Sequence, residues 1–466
     1  MLWYIAVAVI LLAALLLDAG LLAYSMYVLL GLLLLTRFLA RSWINHLSAS
    51  RTCTPPRSES SEEDDKDEKD RHNLTAEVGD RVKVRVTVRN SGRLPVPWVV
   101  LEDVLPQEAL DKRFPKLKVK GKRLGIAMLR PGGKVDVAYT VECAARGYFP
   151  IGPLVMESGD LFGLHRRFRV EAEPAYLLVY PRIIPLEGYD LTSRRPIGDV
   201  LLTHRLFEDP TRISGVRPYE LGDPLNRIHW RATARTGALH SKVHEPSTLA
   251  GATLLLDFYA AGYHQQGEPF RSELAVTATL ALANAVYEMG QQVGFVTNGR
   301  DAADRIRTAA SRGRQPPDDP RTRQAARAAA AMQEESHRLQ PLMVETRRGV
   351  EQLHRIRETL ARVELTDGLS FADLVTETTS RLPRDATLVA VLPDVPEETA
   401  IALGGLRRAG RAITVVLIQQ EENQLQTSYG RLTAEGIRDI RHVKSEAEVP
   451  DLCRKQVDRS APYAVV

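Results

Sequence analysis

The run Ala252-Thr253-Leu254-Leu255-Leu256-Asp257 is almost wholly apolar and stops at a carboxylate. A short continuous apolar run of this kind reads as a strand covered on both faces. Downstream of it, Ser272 to Met289 carries apolar residues at helical spacing, Gly290 suits the position past a helix end, and Val293 to Thr297 is a second strand. The same grammar returns at Ala386 to Leu392 (strand), Glu397 to Arg408 (helix, stopped by Gly410) and Ala412 to Ile418 (strand). Strands alternating with helices of this length predict right-handed crossovers and an α/β doubly wound parallel sheet over residues 251–457, with a tail at 458–466. The polar, Arg- and Ala-rich stretch at about 299–362 interrupts that plan and predicts a helical insertion. Its basic residues, notably Thr322 to Leu339, form either a solvated helix face or a contact for protein or phosphate.

Upstream the periodicity changes from helical to alternating. Val82, Val84, Val86 and Val88 fall on one face and Lys83, Arg85, Thr87 and Arg89 on the other, with a turn signal at Asn90-Ser91-Gly92. Similar short runs at Trp98 to Leu101, Val135 to Val141 and Tyr176 to Val179 predict an antiparallel β-sandwich over 74–180. Residues 37–73 read as a juxtamembrane segment and an acidic linker. Between Ser58 and Asp70, eight acids stand against Lys66 and Lys69, too much like charge to bury apolar surface.

The first 36 residues predict a transmembrane helical hairpin. Asp18 divides an apolar run from Met1 to Leu17 from a second one from Ala19 to Leu35. Each arm reaches about 25 Å, the short end of what crosses a hydrocarbon core about 30 Å thick. A cleaved signal peptide would begin with basic residues and carry one shorter apolar stretch. Arg37, Arg41 and Arg51 follow the second arm and none stands in the turn, so the positive-inside rule places the rest of the chain in the cytoplasm.

Over the whole chain of 466 residues, 26% charged, 44% hydrophobic and 6% aromatic composition excludes wholesale disorder, a collagen-like chain and a polytopic transporter. A net charge of +4 is too mild for a nucleic-acid coat. Cys53, Cys143 and Cys453 have neither metal-ligand spacing nor an even count for a disulfide framework.

Residues 181–250 lead into the α/β domain and hold the most unusual block, Arg217-Pro-Tyr219-Glu-Leu-Gly222-Asp223-Pro224-Leu-Asn-Arg227-Ile-His229-Trp230-Arg231-Ala-Thr-Ala-Arg235-Thr-Gly237. Its local reading is a helix with Asp223 as N-cap, Pro224 in the first turn and Gly237 past the end. Leu225, Ile228 and Ala232 would form a buried stripe. Arg227, Arg231 and Arg235 would form a ridge facing acids, either intramolecular ones such as Glu220 or Glu245 or those of a partner. Trp230 reads as a packing anchor.

This block resembles the signature of the bacterial family catalogued as domain of unknown function 58, in which Arg-x-Tyr-x-x-Gly-Asp is followed by Arg-x-Ile-Asp-Trp and Ala-Arg. Here His229 stands where that pattern has Asp. Arg146-Gly147-Tyr148, Gly152-Pro153 and Asp160-Leu-Phe162-Gly163-Leu164 match a second piece of the pattern. The resemblance implies a von Willebrand factor A-like carboxyl-terminal half and association with a MoxR-type AAA+ ATPase. It also implies a Mg²⁺ site of the Asp-x-Ser-x-Ser type at Asp257-Phe258-Tyr259-Ala260-Ala261, with Asp394 as a later acid. Both serines are missing, so the metal site at Asp257 and Asp394 is degenerate and no cofactor is expected.

Two functions follow as expectations. The first is a non-enzymatic, membrane-anchored adaptor that docks partner proteins, with Arg217, Tyr219, Gly222, Asp223, Pro224, Arg227, Trp230, Arg231 and Arg235 as its signature surface, lipid as the partner of residues 1–36, and no nucleic acid. The alternative is a metal-dependent hydrolase built from Asp223, His229, His240, His244 and Asp257. His240 and His244 would share a helix face, but Ala238 to Val243 reads as a strand, where residues four apart lie about 13 Å from each other. No His-Glu-x-x-His, nucleophile elbow or phosphate loop is present.

Overall fold

A computed structural model describes residues 5, 7, 9–13, 20–54, 73–163, 165–171, 174–187, 207–219, 228–247, 251–263, 267–304, 339–383 and 386–453. The chain divides into two compact units. One comprises Met1–Arg182, Asp301–Ser336 and Thr359–Val363, the other Ile183–Arg300, His337–Glu358 and Glu364–Val466.

The first unit opens on helix α1, Gly20–Asn45. Among the described residues it is the one helix long and apolar enough to cross a membrane. Of the expected first arm, Ile5, Val7 and residues 9–13 are helical and the rest lies outside the described residues. The second arm was expected to end at Leu35 but runs ten residues further, because Trp43 and Ile44, with Leu39 packed against them, continue an apolar face that is buried in the core of the sandwich. Exposed Leu21, Tyr24, Val28, Leu32 and Leu35 lie on the turns before it.

The strands that follow are β1 (Leu47–Thr54), β2 (Asn73–Glu77), β3 (Arg81–Asn90), β4 (Val96–Asp103), β5 (Leu117–Gly121), β6 (Leu124–Leu129), β7 (Lys134–Cys143), β8 (Gly147–Ile151), β9 (Leu154–Gly159), β10 (Arg166–Glu171) and β11 (Ala175–Tyr180). They form sheets ordered β1-β3-β7-β5, β10-β9-β4-β6 and β2-β11-β8. All pairs are antiparallel except β2 with β11. The domain therefore starts earlier than residue 74. Leu47 to Thr54 was read as juxtamembrane chain, yet it pairs with β3 in a register running from Leu47 with Asn90 to Thr54 with Lys83. The acidic stretch 58–70 lies outside the described residues.

The alternation read in β3 matches its burial, with all four valines inside. Each contributes roughly 1.5–3 kcal/mol of burial. The same core contains a buried ion pair. Arg51 bonds to Asp103 through Nε at 3.2 Å and through a shorter Nη2 contact, and Tyr139 donates its hydroxyl to Asp103 Oδ2 at 2.6 Å. Gly152, at φ +95°, leaves the space the Arg51 guanidinium fills, since a Cβ there would overlap it. Gly147, at φ +154°, does the same for the Phe149 ring. Close packing thus explains Gly147 and Gly152 of the upstream motif, while Gly163 has open space around it and is set by its positive φ of +71°.

In the second unit, a ribbon pairs β12 (Phe207–Pro218) with β13 (His240–Ser247), and α2 (Trp230–Thr236) precedes β13. The central sheet comprises β14 (Gly251–Leu256), β15 (Gln292–Thr297), β16 (Leu342–Arg347), β17 (Thr387–Leu392), β18 (Ile413–Ile418) and β19 (Ile440–Val443), in the order β16-β15-β14-β17-β18-β19. Five strands are parallel and β16 is antiparallel to β15, so the sheet is mixed, not wholly parallel. Helices α3 (Phe270–Glu288), α4 (Val350–Arg362), α5 (Phe371–Thr378), α6 (Glu397–Arg408) and α7 (Glu422–Ala434) complete the unit's helices among the described residues. Right-handed crossovers on either side of β14 put α3 and α6 on opposite faces. Leu255, Leu388, Ala390, Val415 and Leu417 accordingly pack with residues of α5, α6 and α7.

The region expected to be a helical insertion is only partly one. Residues 305–338 lie outside the described residues, but Leu342–Arg347 is a sheet strand and Val350–Arg362 a helix. Met343 and Val344 pair with Val296 and Phe295, which explains a short apolar run that composition alone hid among arginines.

Candidate functional site

The strand order reverses at β14, the position where open α/β sheets form a crevice at their carboxyl edge. Asp257 follows β14 there and is buried, 6% exposed. Its Oδ1 accepts from Asn298 Nδ2 at 2.9 Å and from the Tyr259 amide at 3.1 Å. Asn298, which follows β15, also donates to the Leu369 carbonyl at 3.0 Å and accepts from the Phe258 amide at 2.6 Å. Burial pushes the Asp257 carboxyl up from 3.8 to about 6; the hydrogen bonds from Asn298 and Tyr259 oppose this, and the charge of Asp394 adds to it.

Further along the edge, Arg271 of α3 is buried and reaches the carbonyls that end two neighbouring strands. Its Nε donates to Ile418 at 3.2 Å and its Nη2 to Pro393. Gln420 Nε2 donates to the same Pro393 carbonyl at 3.0 Å, and its backbone N–H donates to His442 Nε2 at 3.1 Å. Gln420 Oε1 is buried without a partner among the described residues. Tyr263 donates its hydroxyl to the Asp257 carbonyl at 2.7 Å. Asp394 is half-buried and accepts from the Val395 amide at 2.8 Å. A parallel bridge joins Tyr259 to Thr366, whose carbonyl accepts from the Ala260 amide at 2.7 Å.

These side chains set the conformation of the loops at the edge. They form no nucleophile and base pair, and among the described residues no three of His, Cys, Asp and Glu are grouped to hold a metal. The donor set also falls short of a Mg²⁺ octahedron. One oxygen of Asp257 already accepts two hydrogen bonds, and Tyr259 and Ala261 stand where hydroxyl ligands are needed. Asn298, Arg271, Gln420 and Thr366 were missed in the sequence. Asn298 carried a signal, since it follows an apolar strand as Asp257 does; a lone Arg in an apolar helix carries none.

The signature block folds differently from its local reading. The helix begins at Trp230, with His229 as N-cap: its Nδ1 accepts from the Ala232 amide at 3.0 Å. Ile228, expected inside the helix, instead bridges to Ser241, and the His229 amide donates to the His240 carbonyl at 2.8 Å. Pairing with β13 takes those residues out of helical geometry, so Asp223 and Pro224 do not start α2. Gly222, Asp223, Pro224, Leu225 and Arg227 lie outside the described residues. Gly237 ends the helix as expected, at φ +73°.

Trp230 is 69% exposed, which corrects the packing reading. Arg231 and Arg235 lie one turn apart and both are exposed. The backbone of Arg217 pairs with Ser241, and Tyr219 donates its amide to the Leu239 carbonyl at 2.9 Å. His240 and His244 are on strand β13, as expected, and His240 Nδ1 lies 2.8 Å from the Ala238 carbonyl.

Residues 215–362 match the family described as "Protein of unknown function DUF58". The uncharacterized protein YeaD of Bacillus subtilis (strain 168) is 25% identical over 227 residues, 48% of this chain and 53% of YeaD, so the chain spans about half the length of the curated relative it matches. Among solved structures, a PapD-like domain of human CEP192 is 16% identical and covers 24% of this chain and 82% of that one, with a TM-score of 0.18. A FixG-related protein from Vibrio parahaemolyticus is 7% identical and covers 28% and 95%, with a TM-score of 0.16.

Proposed function

From the premise that residues 215–362 match the family described as Protein of unknown function DUF58, we propose that this chain is a membrane-anchored, non-enzymatic adaptor that docks a partner protein at the carboxyl edge of its mixed sheet. The observation that carries this reading is the carboxyl edge of the sheet at β14, where the strand order reverses. Its buried polar groups, Asp257, Asn298, Arg271 and Gln420, are spent on holding loop backbone and strand ends, which makes a rigid, preorganised rim and leaves no reacting pair. In this reading the sheet is a degenerate von Willebrand factor A-like domain, with Asp257 and Asp394 as remnants of the cation site. Helix α1 spans the inner membrane and the sandwich stands at the cytoplasmic surface. The partner is an AAA+ ATPase of the MoxR type.

The test is site-specific photo-crosslinking in native membranes, with the probe at Ala261 on the rim and at Ile401 on α6 as control. An ATPase captured from Ala261 and not from Ile401 supports docking at the crevice. Equal capture from both positions removes the site, and hydrolysis of a phosphoester or peptide by the purified chain, abolished by Asp257→Asn, replaces the adaptor with an enzyme.

A further inference from the structure

The turn between β9 and β10 has an apolar tip on a tied base. Leu161 and Phe162 are 71% and 65% exposed. Beneath them Asp160 is buried, its Oδ1 accepts from the His165 amide at 2.8 Å, and its carbonyl accepts from Trp98 Nε1 at 3.2 Å. Gly159 leaves room for the His165 carbonyl and the Trp98 ring, and a Cβ at 159 would approach them at 2.6 and 2.8 Å. The base cannot rearrange to bury the two side chains without breaking these contacts, so the tip stays presented to its surroundings.

The location of the tip says what those surroundings are. Arg169 Nη1 donates to the carbonyls of Ile44 and Asn45, at 3.2 and 2.9 Å, which fixes β10 against the end of α1. Counting back from Arg169 to Arg166 covers about 10 Å of strand, and from Ile44 to Arg37 about 10 Å of helix. His165 accordingly feels the Arg37 guanidinium. Burial lowers its pKa, with Arg37 and Arg167 adding to the shift against the opposing pull of Asp160. Leu161 and Phe162 therefore stand beside the last apolar turn of α1, where Leu34 and Leu35 are exposed just before Arg37.

The uncharged run Gly20 to Thr36 is about 25 Å long, short of a hydrocarbon core of about 30 Å, so headgroups are drawn down around Arg37 to meet it. Exposed Arg37 and, one turn further, Arg41 follow that run with positive charge that complements anionic lipid phosphates, while the nearby Arg166 is paired with Glu157 at 3.4 Å.

We propose that the β9–β10 turn is a second membrane contact, inserting Leu161 and Phe162 into the boundary between headgroups and acyl chains of an anionic bilayer beside α1. This rests on the reading of α1 as a membrane span. Two apolar side chains on a rigid hairpin would hold the sandwich at one fixed tilt on the surface, where α1 alone would leave it free to swivel about the helix end.

The full chain is reconstituted in vesicles of phosphatidylcholine and phosphatidylglycerol with photoreactive benzoylphenylalanine replacing Tyr24, Phe162 or Lys83 in turn. Lys83 pairs with Thr54, about 23 Å along β1 from the end of α1. Lipid adducts at 24 and 162, several-fold above those at 83, support the proposal. Adducts at 24 with only the background of 83 at 162 overturn it and leave the membrane span standing. Absence of adducts at 24 removes the span and the proposal with it.

Discussion

Replacing Asp257 by Asn should stabilise this protein near neutral pH and do nothing for it in acid. The buried carboxyl titrates at about 6 in the folded state against 3.8 when unperturbed. An acid whose folded-state pKa is raised holds its proton more tightly folded than unfolded. Its contribution is therefore neutral below about 4, becomes progressively unfavourable as pH rises from about 4 through about 6, and stays constant above that. At ~1.4 kcal/mol per decade of proton affinity, the ionised carboxylate costs the fold about 3 kcal/mol at pH 7.5. Asn keeps the Oδ1 that accepts from Asn298 and Tyr259 and cannot ionise, so it removes that cost while sparing the hydrogen bonds. In a unit of about 200 residues this corresponds to a rise in Tm of roughly 5–10 °C. Calorimetry of the full chain in nanodiscs, wild type against Asp257→Asn at intervals from pH 4 to 7.5, should show a difference that opens with pH and saturates above about 6.5. A variant less stable than wild type at pH 7.5 would refute the reasoning, because it would mean that the ionised carboxylate stabilises the fold where it sits. A gain of the same size at every pH would show that the effect is packing and not titration.

Other perturbations probe the sandwich. Gly152→Ala places a Cβ on the Arg51 guanidinium at a φ that disfavours side chains, and should cost about 3 kcal/mol or more in urea unfolding; a loss under about 0.5 kcal/mol would mean that Arg51 can move aside. Asp103→Ala leaves Arg51 charged and buried and should cost about 3–5 kcal/mol, whereas a neutral result would show that water reaches the guanidinium. Burial pushes the thiols of Cys53 and Cys143 up to about 11 and about 12, so both should resist iodoacetamide at pH 7.5 in the folded protein and react fully in denaturant; rapid labelling of either without denaturant would contradict their placement.

The amino-acid sequence determined those parts whose cause is local. Alternating valines made β3 and its buried face legible, because a strand's side chains take opposite sides whatever it pairs with. Continuous apolar runs ending in a carboxylate marked β14, and α6 was read from Glu397 to Arg408, the bounds it has. The helix end at Gly237 was visible for the same reason, since a left-handed residue is a property of one backbone position. What failed was whatever a distant partner decides. Leu47 to Thr54 carries no strong strand pattern and is a strand because β3 offers it a ladder. Ile228 left its helical stripe because Ser241 pairs with it, and Trp230 turned outward once α2 shrank to a single short helix beside β13. At the crevice, Asp257 could be marked in the sequence, but its partner Asn298 is 41 residues away and Arg271 acts on carbonyls more than 120 residues downstream. Tertiary pairing alone brings such groups within hydrogen-bond range, because the free energy that places them comes from burying the sheet between its helices and not from any preference of the residues themselves.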